Sequence, residues 1–205
     1  MNNRHLFLTS AGLTDEMKRM FFGIIGNQPE DTKILYIPTA GIHIDSAREG
    51  IAVCFHELAK MGIRYNNILV YNLELILSKD YERTYSIYIK EPINITRLLG
   101  EDELKSFDAV FVSGGDAEIL CHEMRRTGFD AILHNAINGG LVYVGISAGS
   151  MYAAGNLSDG LRIIEYPFIP HWNGHRIAAL PTEQIEITLA DGQAVYIEGN
   201  SYSLI

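Results

Sequence analysis

The stretch that most constrains this chain is Gly139-Gly140-Leu141-Val142-Tyr143-Val144-Gly145-Ile146-Ser147-Ala148-Gly149-Ser150. Four β-favouring residues, Leu141 to Val144, run into G-x-S-x-G, and the small residues Ala148, Gly149, Ser150, Ala153 and Ala154 follow as the start of a helix. That order predicts a nucleophile elbow, a tight strand-to-helix turn with serine at its tip. A serine there sits in a strained backbone, so the residues two before and two after it must lack side chains that would meet the strand or the helix. Gly145 and Gly149 meet that need. The turn lifts the Ser147 hydroxyl above the sheet edge and leaves the Ala148 N–H, at a helix N-terminus, facing any developing oxyanion. Bare G-x-S-x-G also occurs as a glycine-rich turn without chemistry, so the flanking strand and small residues carry the reading.

The rest of the chain supplies a frame for such an elbow. His5 to Thr9 is a short apolar run ending at Ser10-Ala11-Gly12, and Met17, Met20, Phe21, Ile24 and Ile25 recur at helical spacing behind Thr14 as N-cap. Lys33 to Ile37 is a buried-type strand stopped by Pro38. A helix from Ala47 to Met61 carries Ile51, Cys54, Phe55 and Leu58 on one face and ends at Gly62, and Ile68 to Tyr71 is a third strand. Ala109 to Ser113 is a fourth, running into Gly114-Gly115-Asp116, with two helical segments after it separated by Gly128. Strands alternating with helices predict an α/β fold with a mainly parallel sheet flanked by helices on both faces. Sites in such sheets form beyond the carboxyl ends of strands, so Ser10–Gly12, Thr39–Gly41, Ser113–Asp116 and Gly145–Gly149 should converge. Residues 73–99, with tyrosines and isoleucines alternating around Pro92, read as two short strands or an insertion hairpin that could cover the site. Ile185 to Leu189, Asp191-Gly192 and Ala194 to Ile197 read as a C-terminal β-hairpin, with Ser201 to Ile205 as a last strand. No repeat or linker divides the chain, so one domain over 1–205 is expected.

At 205 residues the chain can bury a sizeable core. A net charge of -9 without a lysine or arginine run argues against nucleic acid and for a small-molecule or peptide substrate. Cys54 and Cys121 read as small buried hydrophobes rather than a disulfide, which suits a reducing compartment. The apolar run near the N-terminus is too short for a signal peptide, and no segment has the ~18 apolar residues that span a membrane. The expectation is a cytoplasmic protein with no membrane partner.

Ser147 needs a base to take its proton and a group to hold that base. Among seven histidines, His171 is favoured: Pro167-Phe168-Ile169-Pro170 stiffens its approach as an extended segment, Trp172 can anchor it, and it follows the serine. His175 is second. The pair His171-x-x-x-His175 has metal spacing, but Gly174 and Pro170 disfavour a helix and no third ligand is evident, so no metal or cofactor is expected.

Val112-Ser113-Gly114-Gly115-Asp116, Gly145 to Ser150 and Ile169-Pro170-His171-Trp172, with Thr9 to Gly12 and Tyr36 to Ala40, together resemble the aspartyl dipeptidase (peptidase E) family, which includes cyanophycinase. The resemblance covers nearly the whole chain. It implies a class I glutamine amidotransferase-like, flavodoxin-like fold carrying a Ser-His-acid site, and serine at the elbow in place of cysteine argues against ammonia production from glutamine. It further implies Ser147 as nucleophile, His171 as base, and the N–H groups of Gly115 and Ala148 as oxyanion hole. For the acid it points to Asp191 in Leu189-Ala190-Asp191-Gly192, where glutamate is usual. Aspartate is one methylene shorter, so its bond to the imidazole is expected to be long unless the backbone shifts. Glu183 and Asp159 are the alternatives, and Asp191-Gly192 is equally readable as a hairpin turn.

Asp116 replaces the asparagine of the family's Gly-Gly-Asn. A carboxylate beside an oxyanion hole would repel the developing charge unless turned away or paired. It could attract a substrate's α-amino group, or serve as N-cap for the helix from Ala117. The stretch between His171 and the tail is also shorter than usual. A preference for N-terminal aspartate would need a cation, and none of Arg125, Arg126, Arg162 or Arg176 can be assigned to the site from sequence. The chain therefore reads as a serine exopeptidase for dipeptides or short peptides, with a non-hydrolytic ligand- or partner-binding module as the competing reading. Oligomeric state is not legible.

Overall fold

Runs of branched and aromatic residues four or five long become strands here because both of their faces can be buried. The computed structural model describes residues 4–78, 97–173 and 186–205. Its strands are His5–Thr9 (β1), Ile34–Ile37 (β2), Ile68–Val70 (β3), Ala109–Val112 (β4), Val142–Ile146 (β5), Phe168–Ile169 (β6), Ile187–Thr188 (β7), Ala194–Glu198 (β8) and Ser201–Leu204 (β9). The helices are Asp15–Ile25 (α1), Asp45–Lys60 (α2), Glu101–Leu104 (α3), Ala117–Thr127 (α4), Phe129–Asn138 (α5) and Ala148–Ala153 (α6).

Seven strands form one sheet in the order β3-β2-β4-β5-β1-β8-β9. The first five lie parallel, and β8 and β9 are added antiparallel beyond β1. Alternate residues of each parallel strand enter opposite cores, as a period of two dictates. Leu6, Leu8, Val110, Val112 and Tyr143 pack under α4, α5 and α6 through Leu120, Met124, Leu133 and Tyr152. Phe7, Tyr36, Phe111 and Val144 pack under α1 and α2 through Met17, Phe21 and Leu58. This is the mainly parallel α/β sheet with helices on both faces that the strand-helix alternation predicts. Among the described residues no helix is long and apolar enough to cross a membrane.

The tail departs from expectation. Asp191-Gly192 is not a hairpin turn, because β7 pairs in parallel with β6 in a separate two-stranded ribbon, Ile169 opposite Thr188. β8 instead runs antiparallel to β1, Leu8 opposite Val195, and the C-terminal hairpin is β8 with β9, turning between Glu198 and Ser201. Local alternation marked the strands, but non-local partners decide the pairing: β6 for β7, and for β8 the strand β1 at the other end of the chain. Within the irregular stretch, Leu73–Leu75 is a 3₁₀ turn and Leu73 and Ile76 are buried. The tyrosine-rich part, with the strands expected around Pro92, lies outside the described residues.

Candidate active site

The carboxyl ends of β2, β4, β5 and β1 are neighbours in the sheet, so the loops that follow them meet on one rim. At the centre, Ser147 has φ 49 and ψ -104, a strained conformation for a residue with a side chain. The flanking glycines are explained by contact distances. A Cβ at Gly145 would lie 2.7 Å from the Ser150 nitrogen, and one at Gly149 would lie 2.3 Å from the Val112 carbonyl oxygen. The Ser147 N–H donates to the Thr9 carbonyl at 3.0 Å. The buried Ser150 hydroxyl is 2.8 Å from the same carbonyl oxygen and 2.9 Å from that of Gly145. Backbone carbonyls of β1 and β5, with the Ser150 hydroxyl of α6, thus hold the bend from below.

The Ser147 hydroxyl oxygen is 3.2 Å from His171 Nε2, and His171 Nδ1 is 2.7 Å from Asp191 Oδ1. With Nδ1 protonated toward the carboxylate, Nε2 accepts from the serine hydroxyl. His171 follows the extended strand β6, as its prolines imply, and ends that segment by adopting φ 56, a left-handed conformation. Its N–H meets the Ser10 hydroxyl oxygen at 2.7 Å.

Asp191 sits in a turn closed by Gln193 N–H to the Ala190 carbonyl at 3.1 Å, with Gly192 at φ 89 supplying the positive φ. The short acid makes a close bond because the backbone comes to it. Trp172 N–H donates to the Leu189 carbonyl at 2.9 Å and Leu189 N–H to the Ile169 carbonyl at 3.0 Å, which pins the two chain segments beside each other. Of the other acid candidates, Asp159 is paired with Arg125, and Glu183 lies outside the described residues, as do His175 and Arg176.

Sequence reasoning placed Ser10 at the rim without giving it a task. Its side chain is fully buried, and its hydroxyl donates to Asp191 Oδ1 at 2.8 Å while accepting the His171 N–H. One hydroxyl therefore ties the Asp191 carboxylate to the backbone of His171. The signal that could have found it is a hydroxyl residue directly after β1, the strand beside the elbow strand. Ser10 first, and His171 second, hold the Asp191 carboxyl below its ordinary value.

A group with a depressed folded pKa stabilises the fold above its unfolded value, about 3.9 for aspartate, and that stabilisation is lost as pH falls through the folded value. Ser10→Ala is expected to raise the Asp191 titration toward its unfolded value, which carbon NMR of its carboxyl would read, and so to shrink that stabilisation and complete its loss at a higher pH. It should also lower kcat about tenfold or more, since a hydrogen bond to a charged group is worth about 1.5–3 kcal/mol. Ser10→Thr, which keeps the hydroxyl, should restore the titration.

Gly115 lies across from the elbow with φ 135, and a Cβ there would fall 2.0 Å from the Ala40 carbonyl oxygen. Among the described hydrogen bonds none uses the Gly115 or Ala148 N–H. Asp116 is turned from the site: its Oδ1 accepts the Glu118 and Ile119 N–H groups at 2.8 and 3.0 Å, capping α4. The side chain considered for an amino group is thus occupied as an N-cap, which also keeps its charge at the helix rather than the oxyanion position. Arg126 binds the Leu73 and Ile76 carbonyls, and Arg125 its aspartate. Among the described residues no cluster of three His, Cys, Asp or Glu side chains could hold a metal.

A serine, an imidazole and a carboxylate in hydrogen-bond sequence on the rim of a mainly parallel sheet is the order of groups that defines serine hydrolases. Residues 94–205, more than half the chain, match the Peptidase family S51 profile. The chain belongs to that family. It is 27% identical over 120 residues to an uncharacterised peptidase of Listeria monocytogenes serovar 1/2a, covering 49% of this chain and 58% of the relative. It is 42% identical over 66 residues to Peptidase E of Streptomyces coelicolor, covering 31% of this chain and 27% of that protein. The matched segments thus span about half of these curated relatives or less. In three dimensions it is similar to a Listeria monocytogenes EGD-e protein provisionally named as a peptidase E, with a TM-score of 0.66 at 20% identity, covering 99% of this chain and 98% of that one. A peptidase from an acI-B1 Actinobacterium aligns with a TM-score of 0.64 at 19% identity, over 99% and 87% of the two chains. These structural likenesses concern the fold.

Proposed function

We propose that the protein is a serine exopeptidase that hydrolyses dipeptides or short peptides through an acyl-enzyme on Ser147. The observation that carries this reading is the hydrogen-bonded run from Ser147 through His171 to Asp191. As the Ser147 oxygen bonds to the scissile carbonyl carbon, its proton passes to His171 Nε2 and the carbonyl becomes an oxyanion facing the Gly115 and Ala148 N–H groups. Asp191 stabilises the imidazolium and fixes its tautomer. The C–N bond then breaks as Nε2 returns the proton to the leaving amine. Water, deprotonated by the same nitrogen, releases the acyl group and regenerates the serine. The chemistry closes without a cofactor.

Two features that favoured a non-hydrolytic module in the sequence, the aspartate at 116 and the short acid at 191, are each compatible with hydrolysis as placed: one caps a helix and the other is 2.7 Å from the imidazole. Cys54 and Cys121 are unpaired, in keeping with a reducing, cytoplasmic setting. A panel of dipeptides, including Asp-Xaa, tests the proposal. The wild type should release amino acids from at least one member while Ser147→Ala, equally folded, releases none. Equal release by both proteins, or none by either, would remove the claim.

A further inference from the structure

A cavity of about 510 Å³ opens beside Ser147 and His171 and extends between α1 and α2. One wall is a face of α2, presenting Gly50, Val53, Cys54 and Leu58 at helical spacing, with Leu13 opposite and Phe111 from β4 beneath. Val53 is 58% exposed, an apolar side chain left open on the cavity wall. The Cys54 thiol is pushed up to about 11 by burial, so this part of the wall is neutral at physiological pH. Apart from the triad imidazole, the ionisable groups of opposite sign among the described lining residues are Lys18 and Glu57, which are 3.3 Å apart. Lys18 also meets Asp15, and Glu57 also meets Lys60.

Resting on the reading of Ser147 as nucleophile, we propose that this cavity receives an apolar side chain, of the leucine, methionine or phenylalanine kind, from a residue flanking the scissile bond. An apolar group gains by leaving water against these walls. Among the described lining residues, the ammonium that an acidic side chain would meet is already shared by two carboxylates, and the carboxylate that a basic one would meet is already taken by two lysines. A charge moved from water without a free partner is penalised. The volume falls within the range usual for small-ligand sites.

Gly50 allows a direct test. Gly50 lines the cavity and a Cβ there would meet no heavy atom within 4 Å, so the side chain of Gly50→Leu starts from open space on the cavity wall. The change also improves helix propensity, so the variant should fold. The substrates are two dipeptide series, Xaa-Ala and Ala-Xaa, with Xaa as Leu, Met, Phe, Ala, Asp or Lys. In one series the wild type should cleave the apolar members with kcat/KM at least tenfold above the Asp and Lys members. Gly50→Leu should reduce the ratio of Leu to Ala turnover in that series at least tenfold, with an unchanged or higher melting temperature. Asp or Lys members equal to or better than the apolar ones in both series, or a Leu to Ala ratio untouched by Gly50→Leu in the series that prefers apolar members, would overturn the proposal. Fluorophosphonate labelling separates the two levels of failure. A Ser147 that labels and cleaves charged members best leaves the peptidase standing and the apolar cavity refuted, whereas a Ser147 that neither labels nor cleaves removes both.

Discussion

His171→Ala should lower kcat on the order of 10⁵- to 10⁶-fold, because serine and histidine in such a site act as one unit and removing either costs nearly as much as removing both. KM should move little, since the imidazole acts on the proton as the bond forms rather than on bound substrate. Asp191→Asn keeps the shape but lets the ring take the other tautomer, and the expected loss is smaller, about 10⁴-fold. That ordering distinguishes the roles. If Asp191→Asn left kcat unchanged, the 2.7 Å contact to Nδ1 would be an accident of the turn and the acid would lie elsewhere. Steady-state kinetics on the best dipeptide of the panel, over a pH series, reads all three enzymes.

The second large effect is on the fold. Gly149→Ala should destabilise by about 3 kcal/mol, the upper part of the usual overpacking range, and lower the melting temperature by roughly 10 °C for a chain of this size. The added methyl would sit 2.3 Å from the Val112 carbonyl oxygen, a backbone atom that can yield only if β4 and α6 separate. Any relaxation that accommodates it also tilts the elbow, so activity should fall beyond what the lost stability explains. Gly23→Ala is the control. Its Cβ would meet nothing within 4 Å in the last turn of α1, and replacing a helical glycine by alanine should be neutral or stabilising by up to about 1 kcal/mol. Thermal melts of the two variants side by side test whether the glycine spacing is a packing requirement of the elbow.

That spacing is why the site's centre was legible in the sequence. Two glycines flanking a serine at the end of an apolar run have few physical explanations, and the positive φ of Ser147 is the strained one. The parallel sheet was legible for a related reason: strands buried on both faces read as unbroken apolar runs, and Leu35 to Ile37, Val110 to Val112 and Val142 to Val144 are all buried. His171 could be chosen from its proline-rich approach, but its left-handed backbone could not, because nothing local marks it and the partner of its N–H is Ser10, 161 positions earlier. Ser10 itself has no local mark beyond its place after a strand. The tail was misread at Asp191-Gly192 because a turn signal says that the chain reverses, not which strands it joins. Here the turn carries the chain from the β6–β7 ribbon to β8, and presents a carboxylate on the way.

The shorter acid follows the same logic. From sequence, aspartate in a glutamate position implies a gap, yet the backbone bonds between Trp172 and Leu189 and between Leu189 and Ile169 close it. Such long-range pairing has no local periodicity to announce it. The Asp116 carboxylate is the converse case, where the local explanation, a helix N-cap, matches its placement.

The most direct test of the account is to treat the folded protein with a fluorophosphonate and locate the adduct by peptide mass spectrometry. The account predicts a single adduct on Ser147, abolished in His171→Ala and slowed in Asp191→Asn, since the phosphonylation needs the same proton transfer as acylation. An adduct on another residue, or none on a wild-type protein with its native melting transition, would contradict it.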